Sequence, residues 1–232
     1  MQRTFKNVVS ISEKTNDQLL EVIEDFTCFS LDQYGDILIP KTEEYLDQFP
    51  ISEKEKEYYF PYYYWWAVFC SRSLLAEKNT VYELYLKEYG WKFRKKHNLE
   101  RVLSLWKYVF PSFFFIEEMA TERIFCLVDV FDYFKYKPVV LTSKLYKQPS
   151  SNDAFTGLIL PLAGGGYFTV IDFLIIPDHL KAPLISKLMR FCQNDKSIPP
   201  GVFLSKNYPE MLKITIDHLI KNKVEIPHVS LN

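Results

Sequence analysis

The order of apolar and polar residues predicts that the first half of the chain is helical. Apolar side chains recur every three or four residues in four stretches, which is typical of amphipathic helices. The predicted helices span residues 15–30, 52–69, 80–90 and 99–109. Thr15 with Gln18, Ser52 with Glu55, and Thr80 with Glu83 have the spacing of a capping box and would begin the first three. Gly35 follows the first helix, Gly90 would end the third in a left-handed conformation, and Pro111 follows the fourth.

After Pro111 the pattern changes to short aromatic and β-branched runs separated by turn residues, which predicts strands. The predicted strands span residues 112–117, 123–130, 136–142, 155–162 and 167–175, and helices follow over 182–193 and 208–221. The sequence therefore predicts an α+β protein, in which a helical N-terminal half packs on a five-stranded antiparallel sheet or small barrel. Its regions would be 1–110 (helical), 111–176 (antiparallel β) and 177–232 (C-terminal helices), in one compact unit or two tightly packed ones.

An aromatic segment, residues 58–69, bears on whether the protein has a contact surface. Aromatic residues make up 17% of the chain, and nine of the twelve residues in this segment are Tyr, Phe or Trp. We expect that one helix face cannot bury them all, and that Tyr62, Tyr63, Trp65 and Trp66 contact a protein partner or a second copy of the chain. Packing in the core is the simpler interpretation for most of the rings in this segment.

Charge is unevenly distributed although the net charge is only −1. Residues 1–60 contain 6 basic and 13 acidic side chains, whereas residues 61–110 contain 9 and 4. A basic segment, residues 91–97, interleaves aromatic residues with Lys92, Arg94, Lys95 and Lys96. Such a segment can neutralise phosphates and stack on bases, which makes a nucleic acid the alternative partner. A solvated connection with Trp91 and Phe93 turned inward is the simpler interpretation, and the sequence pI near 6.4 does not favour a dedicated nucleic-acid binder.

Three glycines, Gly164, Gly165 and Gly166, allow a phosphate-binding loop or other ligand contacts, but the residues after them form a predicted strand. We therefore expect a hairpin turn at these glycines. The carboxylates of Glu117, Glu118, Glu122, Asp129 and Asp132 could meet at one end of the sheet as acid and base or as metal ligands. Their spacing matches no catalytic pattern, and for Asp129 and Asp132 we favour turn chemistry at a strand end.

The cysteines, histidines and serines do not form a recognisable catalytic or metal-binding pattern in the sequence. The cysteines Cys28, Cys70, Cys126 and Cys192 stand apart in apolar surroundings, so we expect buried thiols and no metal or cofactor. The four histidines show no metal spacing and no adjacent nucleophile, and no serine lies in a nucleophile-elbow sequence. An enzyme is therefore disfavoured, although a hydrolase or transferase site assembled across domains remains an alternative.

Targeting signals are not recognisable in the sequence. The first residues do not lead into a long apolar segment with a cleavage site, and no uncharged apolar run reaches the roughly 18 residues that span a bilayer. We therefore expect a cytoplasmic protein without membrane contact.

A block of the chain resembles a known family. The Trp65–Trp66 pair, the helix from Thr80 to Glu83 and beyond, and Leu127-Val128-Asp129 follow one another as in the region upstream of the zinc motif of some bacterial SEC-C-type proteins. The resemblance covers about residues 60–175 and implies a similar fold. It implies no zinc site, because the cysteine-rich motif itself is missing from this sequence. Together these features predict a non-enzymatic interaction protein.

Overall fold

A computed structural model describes residues 11–75, 78–131, 137–142, 153–193 and 198–224. The chain is an α+β protein, as predicted. The helices are α1 (Ile11–Leu46), α2 (Glu53–Cys70), α3 (Val81–Tyr89), α4 (His97–Leu105), α5 (Asp178–Gln193) and α6 (Pro200–Lys221). The strands are β1 (Ser112–Thr121), β2 (Ile124–Asp129), β3 (Val139–Leu141), β4 (Ala154–Gly157), β5 (Ile159–Pro161), β6 (Tyr167–Thr169) and β7 (Leu174–Ile176). Short 3₁₀ turns, Gly90–Phe93 and Trp106–Tyr108, precede and follow α4.

Helix α1 is longer than predicted at both ends. Thr15 lies inside it, so the capping box predicted there is wrong, and the helix continues through Gly35 and Pro40. Its continuation is stabilised by burial, because Leu38 and Leu46 extend the apolar face beyond the predicted end. Helices α5 and α6 also begin earlier than predicted, by four and eight residues.

The other two predicted capping boxes are confirmed. The Ser52 side chain accepts a hydrogen bond from the Glu55 backbone amide, and the Glu55 carboxylate accepts one from the Ser52 amide. Thr80 and Glu83 form the same pair at the start of α3. Gly90 is not a left-handed terminator, since its φ is −57° and the chain continues into the first 3₁₀ turn.

The sheet has seven strands in the order β5-β6-β3-β2-β1-β4-β7. Strands β3 and β6 are parallel and the remaining neighbours are antiparallel, so the predicted five-stranded antiparallel sheet is wrong in detail. Two of the predicted strands are each divided in two. The first divides after Gly157, where a β-carbon would come within 2.7 Å of the Phe173 ring, and the second divides at residues 170–173. Gly157 therefore lets the chain bend against a packed ring.

The division explains why the sheet curls into a half-barrel. Leu158 alone separates β4 from β5, yet β5 is one edge of the sheet and β4 lies next to the other edge. Two strands joined by one residue cannot be far apart, so the ends of the sheet must approach each other. A cluster of sheet residues that includes Phe114, Leu127 and Phe155 fills the inside of the curl.

The opposite face of the sheet packs on the helices in a larger core. Phe113, Ala154 and Ile176 join one buried cluster with side chains from all six helices. Helix α2 lies in this core, in contact with α1, α3 and α6. Among the described residues, no helix combines the length and the apolar composition that crossing a bilayer requires.

Candidate functional site

The aromatic segment on α2 is part of the core. Tyr62, Tyr63, Trp65 and Trp66 are between 1% and 8% exposed. The Tyr63 ring stacks on Tyr45, and the Trp66 indole N–H donates to the Ser205 carbonyl oxygen at 2.7 Å. The expectation that one helix cannot bury so many rings is corrected here, because α2 is covered on several sides by other helices. Contact with a protein partner through these four rings stays a prediction, and their position does not favour it.

The basic segment lies on the surface between α3 and α4. Lys92, Arg94, Lys95 and Lys96 are exposed, and none of the four has a carboxylate partner among the described residues. Phe93 is turned inward and anchors the segment, but Trp91 is 64% exposed, contrary to the simpler interpretation. The Lys92 ammonium lies 4.4 Å from the centroid of the Tyr89 ring. The segment therefore presents four cations and one large ring to solvent.

The three glycines form the predicted hairpin turn between β5 and β6. The Leu162 amide donates to the Gly166 carbonyl at 2.7 Å, and Gly164 and Gly165 have φ values of 97° and 93°. Residues with side chains rarely adopt such angles, so glycine is required at these two positions. The turn leads from strand to strand, which is not the strand-to-helix geometry of a phosphate loop. These glycines also line a cavity.

The acidic residues of β1 and β2 do not converge. Glu117 forms an ion pair with Lys137, and the hydrogen bond from this ammonium lowers the pKa of the Glu117 carboxyl. Asp129 lies opposite Phe114, and its carboxylate accepts from the Phe131 amide at 2.8 Å, as turn chemistry predicts. Asp132 lies outside the described residues. Within the described ranges, no group of three or more His, Cys, Asp or Glu side chains is placed to hold a metal ion.

A cavity of about 630 Å³, which we name the mouth cavity, opens at one end of the half-barrel. Its wall consists mainly of apolar and aromatic side chains from the sheet, from α4 and the turn after it, and from the first turn of α6. The lining residues are Arg101, Val102, Leu105, Tyr108, Val109, Phe110, Ser112, Phe114, Asp129, Phe131, Ile159, Pro161, Leu162, Gly164, Gly165, Gly166, Tyr167, Pro200, Gly201 and Leu204. The Trp106 indole N–H donates to the Pro161 carbonyl at 2.9 Å and ties the second 3₁₀ turn to β5.

Two buried polar side chains lie in the wall of the mouth cavity. Ser112 begins β1 and points to the same face as Phe114, because side chains alternate along a strand. Ser112 is 1% exposed, and its hydroxyl has no hydrogen-bond partner among the described residues. Asp129 is also buried, while Arg101 is exposed at the rim. The wall thus contains one buried serine hydroxyl and one buried carboxylate among mainly apolar side chains.

A second cavity, of about 690 Å³, lies on the other side of Tyr108, Val109, Phe110 and Gly201, which line both. We name it the ridge cavity. Its charged lining residues are Arg72, Lys107 and Lys206, and its lining contains no Asp or Glu. Its other lining residues are Trp66, Phe69, Cys70, Ser71, Ser73, Thr80, Pro199, Val202 and Ser205.

Neither cavity could be found from the sequence. Arg101, Ser112 and Gly201 belong to three different elements, α4, β1 and α6, and each stands in an ordinary local pattern. The one signal was the glycine triplet, which predicted a turn and left other ligand contacts as an alternative. Comparison of the chain with family models, with curated proteins and with solved structures gives no match.

Proposed function

We propose that the protein binds a small molecule in the mouth cavity. The observation that carries this proposal is a cavity of about 630 Å³ with an apolar, ring-rich wall and two buried polar side chains. Ligand pockets typically measure roughly 300–1,000 Å³ and place a few polar groups in such a wall, often at the mouth of a β-barrel. The unpartnered Ser112 hydroxyl supports the proposal, because a buried polar group without a partner costs free energy that a ligand can recover.

The proposal concerns binding and not a reaction. The mouth cavity's lining residues do not include a histidine, lysine or cysteine, so Ser112 has no imidazole or amine base beside it within the described wall. The Asp129 carboxylate is engaged by the Phe131 amide and orients the turn after β2.

The test uses indole, a neutral ring, as the probe. We expect millimolar indole to shift the amide NMR signals of Gly164, Gly165 and Gly166, because these residues line the cavity. The chain has seven glycines, so their signals are readily separated. Gly35 and Gly90 are not lining residues and serve as internal controls. Shifts spread evenly over all glycines, or no shifts, would contradict the proposal.

A variant with a larger side chain at the entrance of the mouth cavity tests whether indole binds inside it. Leu105 lines the mouth cavity and is 49% exposed, so Leu105→Trp narrows the entrance without disturbing the core. We expect this variant to bind indole at least about 10-fold more weakly, a change of about 1.4 kcal/mol. Leu31 on α1 is 45% exposed and lines neither cavity, so Leu31→Trp should leave binding unchanged.

We propose nucleic-acid binding through the basic segment as a second candidate function. It is favoured by the exposure of Lys92, Arg94, Lys95 and Lys96 beside the exposed Trp91 ring, without carboxylate partners among the described residues. Lysine and arginine contacts to phosphates release counterions, so binding should weaken as salt rises.

A labelled single-stranded oligonucleotide tests this candidate by fluorescence anisotropy. We expect Lys95→Glu with Lys96→Glu to lower the affinity by at least about 10-fold at 50 mM salt and to flatten the salt dependence. Lys14→Glu with Lys187→Glu is the control, because it makes the same change in net charge at exposed positions on α1 and α5. Equal loss in both double variants would reject a specific site in the basic segment.

A further inference from the structure

Helix α1 has a row of carboxylates along its outer surface, which we name the acidic row. Glu21, Asp25, Asp32 and Asp36 follow one another at intervals of four, seven and four positions, so they lie on one face over about 22 Å. All four are exposed, and none forms an ion pair among the described residues. Like charges one turn apart destabilise a helix, so an opposing basic surface would stabilise this one.

The basic segment lies beside the acidic row. The Phe29 ring, on α1 between Asp25 and Asp32, packs edge-on against the Tyr89 ring with 5.6 Å between their centroids. The Lys92 ammonium lies over the same Tyr89 ring. These two rings therefore mark the boundary between the carboxylates of α1 and the cations of the basic segment. No ion pair crosses this boundary among the described residues, so both surfaces keep their charge unpaired within one chain.

Two neighbouring surfaces of opposite charge are together complementary to themselves. When two copies meet across a two-fold axis, the acidic row of each faces the basic segment of the other, so every contact is made twice. A head-to-tail contact would use one surface of each copy and leave the other two uncovered. The exposed Trp91 ring, within the basic segment, adds apolar area to the symmetric contact.

We infer that the protein forms a symmetric dimer in which the acidic row of each copy contacts the basic segment of the other. The charged side chains are exposed in the single chain, so salt screens their attraction and weakens the dimer. Such complementarity fixes orientation and speeds association more than it raises affinity, so the dimer is a weak one. The inference does not involve the mouth cavity, and it gives the basic segment a second copy as its occupant in place of a nucleic acid.

Sedimentation equilibrium of the whole chain tests the dimer through its mass. We expect the mass to approach twice 27.5 kDa as protein concentration rises at about 50 mM salt. The dissociation constant should increase at least about 10-fold when salt is raised to about 500 mM.

Charge reversal shows which surfaces make the contact. A row variant carries E21K, D25K, D32K and D36K, and a segment variant carries K92E, R94E, K95E and K96E. Each variant has two surfaces of the same sign, so each should be a monomer by itself. Their equimolar mixture should dimerise, because one copy is then basic at both surfaces and the other acidic. A chain with all eight substitutions should dimerise as the unmodified chain does.

The control variant makes the same change in net charge as the segment variant at exposed positions on α5, on α6 and just after α6. It carries K187E, K206E, K221E and K223E. It should dimerise like the unmodified chain. Loss of the dimer in this control would reject a specific contact at the basic segment.

Three other outcomes would also overturn the inference. The first is an unmodified chain that stays at 27.5 kDa at every concentration. The second is a mixture of the row and segment variants that remains monomeric. The third is a mass that exceeds two chains and grows with concentration, which indicates head-to-tail assembly. If no dimer forms but the row variant binds the labelled oligonucleotide, this inference is wrong and the second candidate function stands.

Discussion

Gly201 lies where the first turn of α6 passes the ring of Phe110, and the two residues together separate the cavities. A β-carbon at Gly201 would come within 2.5 Å of a Phe110 ring carbon. Real β-carbons essentially never approach so closely, so the ring or the helix must move. Glycine is needed here for space and not for its backbone freedom.

We therefore predict that Gly201→Ala lowers the free energy of unfolding by about 1–3 kcal/mol, the usual cost of an overpacked core. Urea unfolding measures this change. Gly90→Ala is the control, because a β-carbon added there would meet no atom within 4 Å and the φ of Gly90, −57°, is helical. It should leave stability unchanged or raise it by up to about 1 kcal/mol. A second variant, Gly201→Ala with Phe110→Leu, should recover part of the loss; no loss in Gly201→Ala itself would show that the ring moves freely.

Among the helices and strands, α2 is the element whose burial differs most from the sequence-based expectation. The number of rings in segment 58–69 predicts that some of them lie at a surface, but the structure surrounds α2 with α1, α3 and α6. Sequence alone cannot show how many neighbours a helix has, because some of them are distant in the chain: Ser205 of α6, which bonds Trp66, lies 139 positions after it. The caps of α2 and α3 were predictable, since a capping box is decided within four residues.

The burial of Trp66 in α2 leads to a stability prediction. Trp66→Ala should lower the free energy of unfolding by about 3–5 kcal/mol, because it opens a cavity and leaves the Ser205 carbonyl without the indole donor. Thermal and urea unfolding followed by circular dichroism measure this. Trp91→Ala removes an equally large but exposed ring and should change stability by less than about 0.5 kcal/mol. Similar effects of the two substitutions would contradict the placement of Trp66 in the core.

At the scale of the whole molecule, the α+β class and the order of helices, strands and helices were predictable from the change of period at Pro111. The strand count was not, because the bend after Gly157 depends on the Phe173 ring packed against it. The cavities were not predictable either, since they exist only when α4, α6 and the curled sheet meet. The resemblance to SEC-C-type proteins stays a prediction.

The single-residue link at Leu158 also affects how the protein meets copies of itself. The link makes β5 an edge strand that begins one residue after β4, and both edge strands are short: β5 and β7 contain three residues each. An incoming strand could pair along only about 10 Å of either edge. Pro161 also ends β5 and offers no backbone N–H to such a strand. At β5 and β7, therefore, little backbone is exposed for edge-to-edge aggregation.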